Sequence, residues 1–295
     1  MRVSKLTKRM FPQYLLLPAL LLYFVLFLIP NLASFYYAFT NWNAVGSVVK
    51  FIGFDNFREI FSSASGNGGV FRNTAVFAIY TTVLKIIIGL LLALLLNEGI
   101  RTKNILRAIF FMPITISVVL TGIMFSEIYS PDGILNGLLK LVGLSSWTHA
   151  WIAEPQIAIW SVATVEVWRA SGFAMAIFLA ALQMVPKEIY EATEIDGAGS
   201  FQKLFYVTLP YLYQAIVLNT LFGMISGLKV FDLIYVISNG GPVRSTEVLN
   251  VTVLNEFSKG AYGYSTAMGL ILFLFVTLAY FGVNYVFKKF EVDVS

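Results

Sequence analysis

Residues Val185 to Leu212 read Val-Pro-Lys-Glu-Ile-Tyr-Glu-Ala-Thr-Glu-Ile-Asp-Gly-Ala-Gly-Ser-Phe-Gln-Lys-Leu-Phe-Tyr-Val-Thr-Leu-Pro-Tyr-Leu, the one long amphipathic, charge-bearing segment between two intensely apolar blocks. Pro186 precedes a run of good helix formers that starts at Lys187 and Glu188. Asp196-Gly197-Ala198-Gly199 supplies a helix stop and a turn, because glycine enters the left-handed region without a Cβ clash. Ser200 is placed to cap a second short helix through Leu204 and Phe205 by accepting backbone N–H bonds. Pro210 falls near the start of the next apolar block, where a missing N–H is best tolerated. These signals predict a helix–turn–helix outside the hydrocarbon, stiffly joined to membrane helices at both ends.

Composition sets the surroundings of that segment. Hydrophobic residues make up 58% of the 295 and charged residues only 12%, with a mean hydropathy of +0.78. A soluble domain carries roughly twice that charge fraction. The chain reads as an all-α polytopic membrane protein. Its net charge of +4 is too small to indicate nucleic acid. There is no cysteine, hence no disulfide or thiol chemistry, and the single histidine, His149, cannot build a histidine metal site alone.

A span needs about 20 mostly apolar residues. Six stretches qualify, about Tyr14–Tyr36, Phe71–Leu96, Ile105–Ile128, Ile157–Met184, Leu212–Ile237 and Thr266–Phe287. Met1 to Pro30 has the basic start of a signal peptide, but its apolar run is too long, and it reads as an uncleaved first span. The expected organisation is one membrane domain over 1–295: an N-terminal helix at 14–36, a five-helix core over 71–287, and the loop 185–212 between the fourth and fifth helices. Basic residues then set orientation. Eleven fall in the terminal tails and the second and fourth loops, among them Arg2, Lys5, Lys8, Arg9, Lys187 and Lys203; six fall in the intervening loops. Both termini and the Glu191 loop are thus expected on the cytoplasmic side of a cell membrane.

Two outer loops carry turn chemistry. Phe51-Ile52-Gly53-Phe54-Asp55-Asn56-Phe57 leads into a Ser/Gly-rich tract, Ser62 to Gly69, that reads as a flexible linker. Ser238-Asn239-Gly240-Gly241-Pro242 is a strong turn signal.

The spaced pattern Glu191-Ala192-Thr193, Gly197 and Val207-Thr208-Leu209-Pro210 resembles the EAA loop of binding-protein-dependent ABC importer permeases, with Thr193 replacing a second alanine and Val207 an isoleucine. The Phe51–Phe57 segment and the Gly-Gly-Pro turn after Phe231-Asp232-Leu233-Ile234-Tyr235 are similar to motifs of the sugar-importing branch of that family. The resemblance implies a MetI-like fold and a second, similar permease, with a heterodimer expected. It also implies two cytoplasmic ATPase subunits docked at the loop, and an extracytoplasmic solute-binding protein. It places ATPase coupling on Glu191, Ala192, Thr193, Asp196, Gly197, Leu209 and Pro210. ATP and magnesium would be bound by the partner ATPases, because this chain has no phosphate-binding Gly-x-x-x-x-Gly-Lys loop and needs no cofactor of its own.

Ionisable residues inside spans are costly and draw functional hypotheses. Glu166 and Arg169 sit three apart in the fourth span and can neutralise each other; Lys229 and Asp232 repeat the spacing in the fifth. Lys85 has no such neighbour in the second. Either the groups line a path, or they hold helices together and snorkel to headgroups. The fifth span presents a small face, Gly223, Ser226, Gly227 and Val230, with Asn219 one turn earlier. Small residues let helices pack closely; in the resembling permeases the corresponding helix lines the transport path. A proton- or sodium-coupled carrier is the rival function, but it needs an unpaired carboxylate and, as a rule, repeated halves, and neither is visible. A single histidine, no cysteine and no clustered acids within the spans leave little for the acid–base or metal chemistry of an intramembrane enzyme.

Overall fold

The computed structural model describes residues 13–46, 48–97 and 101–289. Those residues are helical or in connecting turns, with one isolated bridge between Thr40 and Phe51. Four uninterrupted helices are long and apolar enough to cross a membrane: Leu17–Tyr37, Asn67–Asn97, Ala158–Leu182 and Tyr262–Lys288. Two further spans are bent pairs, Lys103–Thr115 with Val118–Ile128 at 96° and Ser200–Tyr211 with Tyr213–Leu228 at 68°. In chain order these six are the first to sixth spans. At about 1.5 Å per residue even the 21-residue first span reaches the thickness of the hydrocarbon layer. The basic N-terminal residues Arg2, Lys5, Lys8 and Arg9 lie outside the described residues.

The third and fifth of the expected spans are bent. In the third span Pro113 removes a backbone donor, and Ile116 and Ser117 are extended before the helix restarts at Val118. The fifth span starts inside the 185–212 loop and stops at Leu228, well short of Ile237. Asn250 Nδ2 donates to the carbonyl of Lys229 at 3.0 Å, and a separate helix begins at Asp232, whose carboxylate suits a first turn. Pro30 and Pro210 share one device: each lies two residues past a π-turn, Phe24–Leu28 and Leu204–Thr208, a widened stretch that accommodates the missing rung.

The chain divides into two compact units, one within Met1–Ser65 and Val253–Leu270, the other within Gly66–Thr252 and Ile271–Ser295. In the first, Asn56 Nδ2 donates to the carbonyls of Ala38 and Thr40, both at 2.9 Å, which folds the Phe51–Phe57 segment back onto the end of the first span. In the second, the second and fourth spans pack along each other, with the fifth against the second. A Cβ at Gly172 would stand 2.0 Å from the carbonyl oxygen of Phe110, so only glycine permits the close approach of the third and fourth spans. One apolar cluster includes Phe77, Val162, Val165, Leu233 and Ile234; another includes Ala93, Met175, Phe178, Leu182 and Leu212. Lys85 falls between them, about 12 Å along the helix from both Phe77 and Ala93.

Ser62–Gly69 is not a linker. Ser63–Ser65 form a 3-10 turn, Gly66 turns the chain at φ +66°, and the second span starts at Asn67. Asn67 is buried and accepts from the Arg244 guanidinium at 3.1 Å.

Candidate functional site

The loop between the fourth and fifth spans is a helical hairpin. Helix Lys187–Ile195 follows Pro186 and ends at Asp196. Gly197 takes φ +74°, its N–H donates to Glu194 O at 3.1 Å, and the Ala198 N–H reaches Thr193 O at 3.0 Å. Those two bonds are the Schellman pattern that a left-handed glycine makes possible. The next helix is capped by Gly199, not by Ser200 as the sequence suggested. The Gly199 N–H donates to Gln202 Oε1 at 2.9 Å, and Ser200 is already the first helical residue.

Two contacts tie the arms together. Lys203 Nζ meets Glu194 Oε1 at 2.8 Å, and the Tyr190 and Thr208 hydroxyls lie 3.3 Å apart. The hydrogen bond from Lys203, and then its charge, hold the Glu194 carboxyl below its ordinary range. Glu191, Ala192, Asp196 and Gly197 are exposed, Thr193 is half-buried, and Leu209 and Pro210 are half-buried at the root of the fifth span. Ile195 is 87% exposed, and Phe201, Phe205 and Tyr206 on the second arm are exposed as well. A concavity of about 300 Å³ lined by Thr193, Asp196, Gly197, Lys203 and Tyr206 lies between the arms. The hairpin therefore offers carboxylates, apolar side chains and a hollow between its arms on one helical element that continues into the fifth span.

Within the second unit a cavity of about 160 Å³ is lined by Lys85, Glu166, Arg169, Asn219, Gly223 and Ser226, along with apolar residues. The structure thus brings together five of the seven residues expected on the path. Gly227 and Val230 are not among its lining residues. A Cβ at Gly227 would meet Ala78 Cα at 2.6 Å, and Val230 packs against the Phe77 cluster. Gly223 serves both ends, since it lines the cavity and its Cβ would stand 2.7 Å from Thr82. Lys85 has a partner after all: its Nζ lies 3.5 Å from Glu166 Oε1 and 3.3 Å from Ser226 Oγ. Arg169 donates to Glu166 Oε2 at 3.0 Å. The expected Lys229–Asp232 pair does not form, because the helix breaks between them and both side chains are exposed.

A third assembly has almost no local signature in the sequence. Arg244 pairs with Glu247, Asn73 Nδ2 donates to the carbonyls of Arg244 and Glu247 at 3.1 Å, and the Leu249 N–H donates to Thr74 Oγ1 at 2.9 Å. The Gly-Gly-Pro loop, with its cis Gly241–Pro242 bond, is thereby fastened to the start of the second span. The Arg244–Glu247 spacing is the one local signal for it. Among the described residues no cluster of His, Cys, Asp or Glu is arranged to hold a metal.

Comparison with known proteins places this architecture. Residues 85–292 match the family described as binding-protein-dependent transport system inner membrane component. The probable ABC transporter permease protein YurN of Bacillus subtilis is 30% identical over 92% of this chain and 93% of its own length. The diacetylchitobiose uptake system permease protein NgcF of Streptomyces coelicolor is 34% identical over 84% of this chain and 74% of its own. A chain in the crystal structure of a bacterial alginate ABC transporter, in complex with an alginate pentasaccharide-bound periplasmic protein, superposes with a TM-score of 0.83. It is 21% identical and is aligned over 99% of both chains. The chain belongs to the binding-protein-dependent transport system inner membrane component family, the multi-pass membrane permeases of ABC transporters.

Proposed function

We propose that this chain is one membrane permease of an ATP-driven importer for a sugar or oligosaccharide. The observation that carries the reading is the hairpin at 187–211. It presents an exposed Glu191-Ala192 face and an apolar rim, and it continues into the fifth span through a single joint residue, Leu212. A push on such an element moves the fifth span, and that span borders the cavity. Glu191 supplies a charge-assisted bond, worth about 1.5–3 kcal/mol to a partner. Ala192 is small enough for a cleft to close over it, Gly197 sets the turn, and Leu209 and Pro210 set the joint. ATP and magnesium belong to two separate ATPases on the cytoplasmic side, where this reading also puts both termini. A second permease, different in sequence, completes the enclosure, and a solute-binding protein delivers cargo from the other side. Relatives named for diacetylchitobiose and for multiple sugars support the solute class. Switching needs contacts that differ between the two states, and the Lys85–Glu166–Arg169 cluster is the best placed to provide them. On this reading residues 1–295 work as one permease domain.

Reconstitution tests this directly. The chain alone in liposomes neither hydrolyses ATP nor accumulates sugar under a proton or sodium gradient. With its partner permease, ATPases and binding protein, it accumulates sugar only when ATP is present. Gradient-driven accumulation by the lone chain would move the function to a secondary carrier.

A further inference from the structure

Three ionisable side chains line the cavity between the second, fourth and fifth spans, and two of them are cations. Lys85 and Glu166 are 6% and 7% exposed. Both oxygens of Glu166 are already engaged: Oε1 with Lys85 at 3.5 Å, Oε2 with the Arg169 guanidinium at 3.0 Å. Counted as ionised, the three groups sum to one positive charge at membrane depth, where an uncompensated charge is costly. Arg169 carries five N–H donors, and its Nε and Nη2 contacts to Glu166 leave others toward the cavity it lines. Lys85 reaches Ser226 Oγ at 3.3 Å. Phe173 and Phe222, edge to face with centroids 6.0 Å apart, form an apolar wall of the same space.

The balance of groups selects a ligand class. A neutral sugar needs acceptors for its hydroxyl protons, and here the only carboxylate is spent on the two cations. The groups not spent on Glu166 are the remaining Arg169 N–H donors, which carry charge, and the Asn219 Oδ1 and Ser226 hydroxyl, which do not, beside the Phe173 and Phe222 rings. A planar carboxylate or a phosphate matches a guanidinium in two parallel bonds. We propose that this cavity takes the oxyanion of an acidic sugar, a uronate carboxylate or a sugar phosphate, with Arg169 in contact with it and Lys85 supplying the second positive charge. The proposal rests on the importer reading and narrows its solute class.

The test is calorimetric titration of the nucleotide-free complex of this chain with its partner permease and ATPases, without the binding protein. The probes are digalacturonate against neutral galactobiose, and glucose 6-phosphate against glucose. The expected result is about tenfold or greater preference for the charged member of one pair, and the preferred pair identifies carboxylate or phosphate. That preference shrinks as sodium chloride rises from about 0.05 to about 0.5 M, while neutral binding does not change. Arg169→Gln abolishes the preference in a complex that still elutes intact, and Arg169→Lys keeps part of it. Should Arg169→Gln fail to assemble, the wild-type comparison and its salt dependence still decide. Equal binding within both pairs, tighter neutral binding, or no binding of either anion overturns the proposal. ATP-driven uptake with no anion preference would sink this inference alone, whereas anion preference in a complex without ATP-driven uptake would sink the importer reading instead.

Discussion

Glu194 and Lys203 clasp the two arms of the hairpin with a single exposed pair. Because Lys203 lowers the Glu194 pKa, the contribution of the clasp is present at neutral pH. It is lost as pH falls through the folded-state value, below the ordinary glutamate value of about 4.3. In protein with ¹³C-labelled glutamate, the Glu194 carboxyl resonance should titrate below that value, and Lys203→Ala should move its midpoint up. An unchanged midpoint would mean the pair does not persist in solution. Transport by Lys203→Ala should be only mildly affected, since exposed pairs contribute little. At this scale legibility follows sequence distance. Gly197 is readable because the need for positive φ is local to a helix end. Lys85 is not, because its partner Glu166 lies 81 positions away and only the packing of two spans brings them together. Ser200 looks like the cap because hydroxyls favour that position, but the Gln202 side chain reaches the Gly199 N–H and the helix starts one residue earlier.

Helices behave less uniformly than their hydropathy. The small face of the fifth span is legible as a face, yet its residues do two jobs. Gly223 borders the cavity, while Gly227 sits against the backbone of Ala78. Replacing Gly227 with leucine therefore separates the second and fifth spans and does not fill the cavity. Overpacking of this kind costs about 1–3 kcal/mol. The expected outcome is less recovered complex and a lower melting midpoint, with unchanged solute dependence in what assembles. Wild-type abundance with altered solute dependence would put Gly227 on the path after all. The break at Ile116–Ser117 is hidden in the sequence because apolar residues continue across it, whereas the break after Leu228 falls between Lys229 and Asp232, two charges that a continuous helix would have paired. Proline and capping contacts, not apolarity, decide where a membrane helix ends. The Lys229–Asp232 pair fails for the same reason: a three-residue spacing means a shared face only while the helix continues.

For the whole molecule, six apolar stretches and the loop pattern are enough to give the all-helical class and the family. The arrangement of charges around the cavity depends on how three spans pack, which no local pattern encodes. Orientation is tested by cysteine labelling, for which the cysteine-free chain is a ready background. Val45, 96% exposed, and Val243, 92% exposed, lie in loops expected on the outer face and suit as reporters. An impermeant thiol reagent with access to the outer face of intact cells should modify Val45→Cys and Val243→Cys and leave Lys203→Cys untouched. Labelling of Lys203→Cys from outside would reverse the topology and remove the hairpin from the ATPase side. The central claim, that this hairpin couples ATP hydrolysis to the membrane path, is tested most directly by solute-stimulated ATP hydrolysis in the reconstituted complex carrying Glu191→Lys or Gly197→Asp. A side chain at a φ of +74° costs about 1–2 kcal/mol and re-aims the turn, and a reversed charge at Glu191 repels whatever its carboxylate binds. Both variants should insert and assemble at normal abundance while solute-stimulated hydrolysis falls about tenfold or more; wild-type stimulation in both would contradict the account.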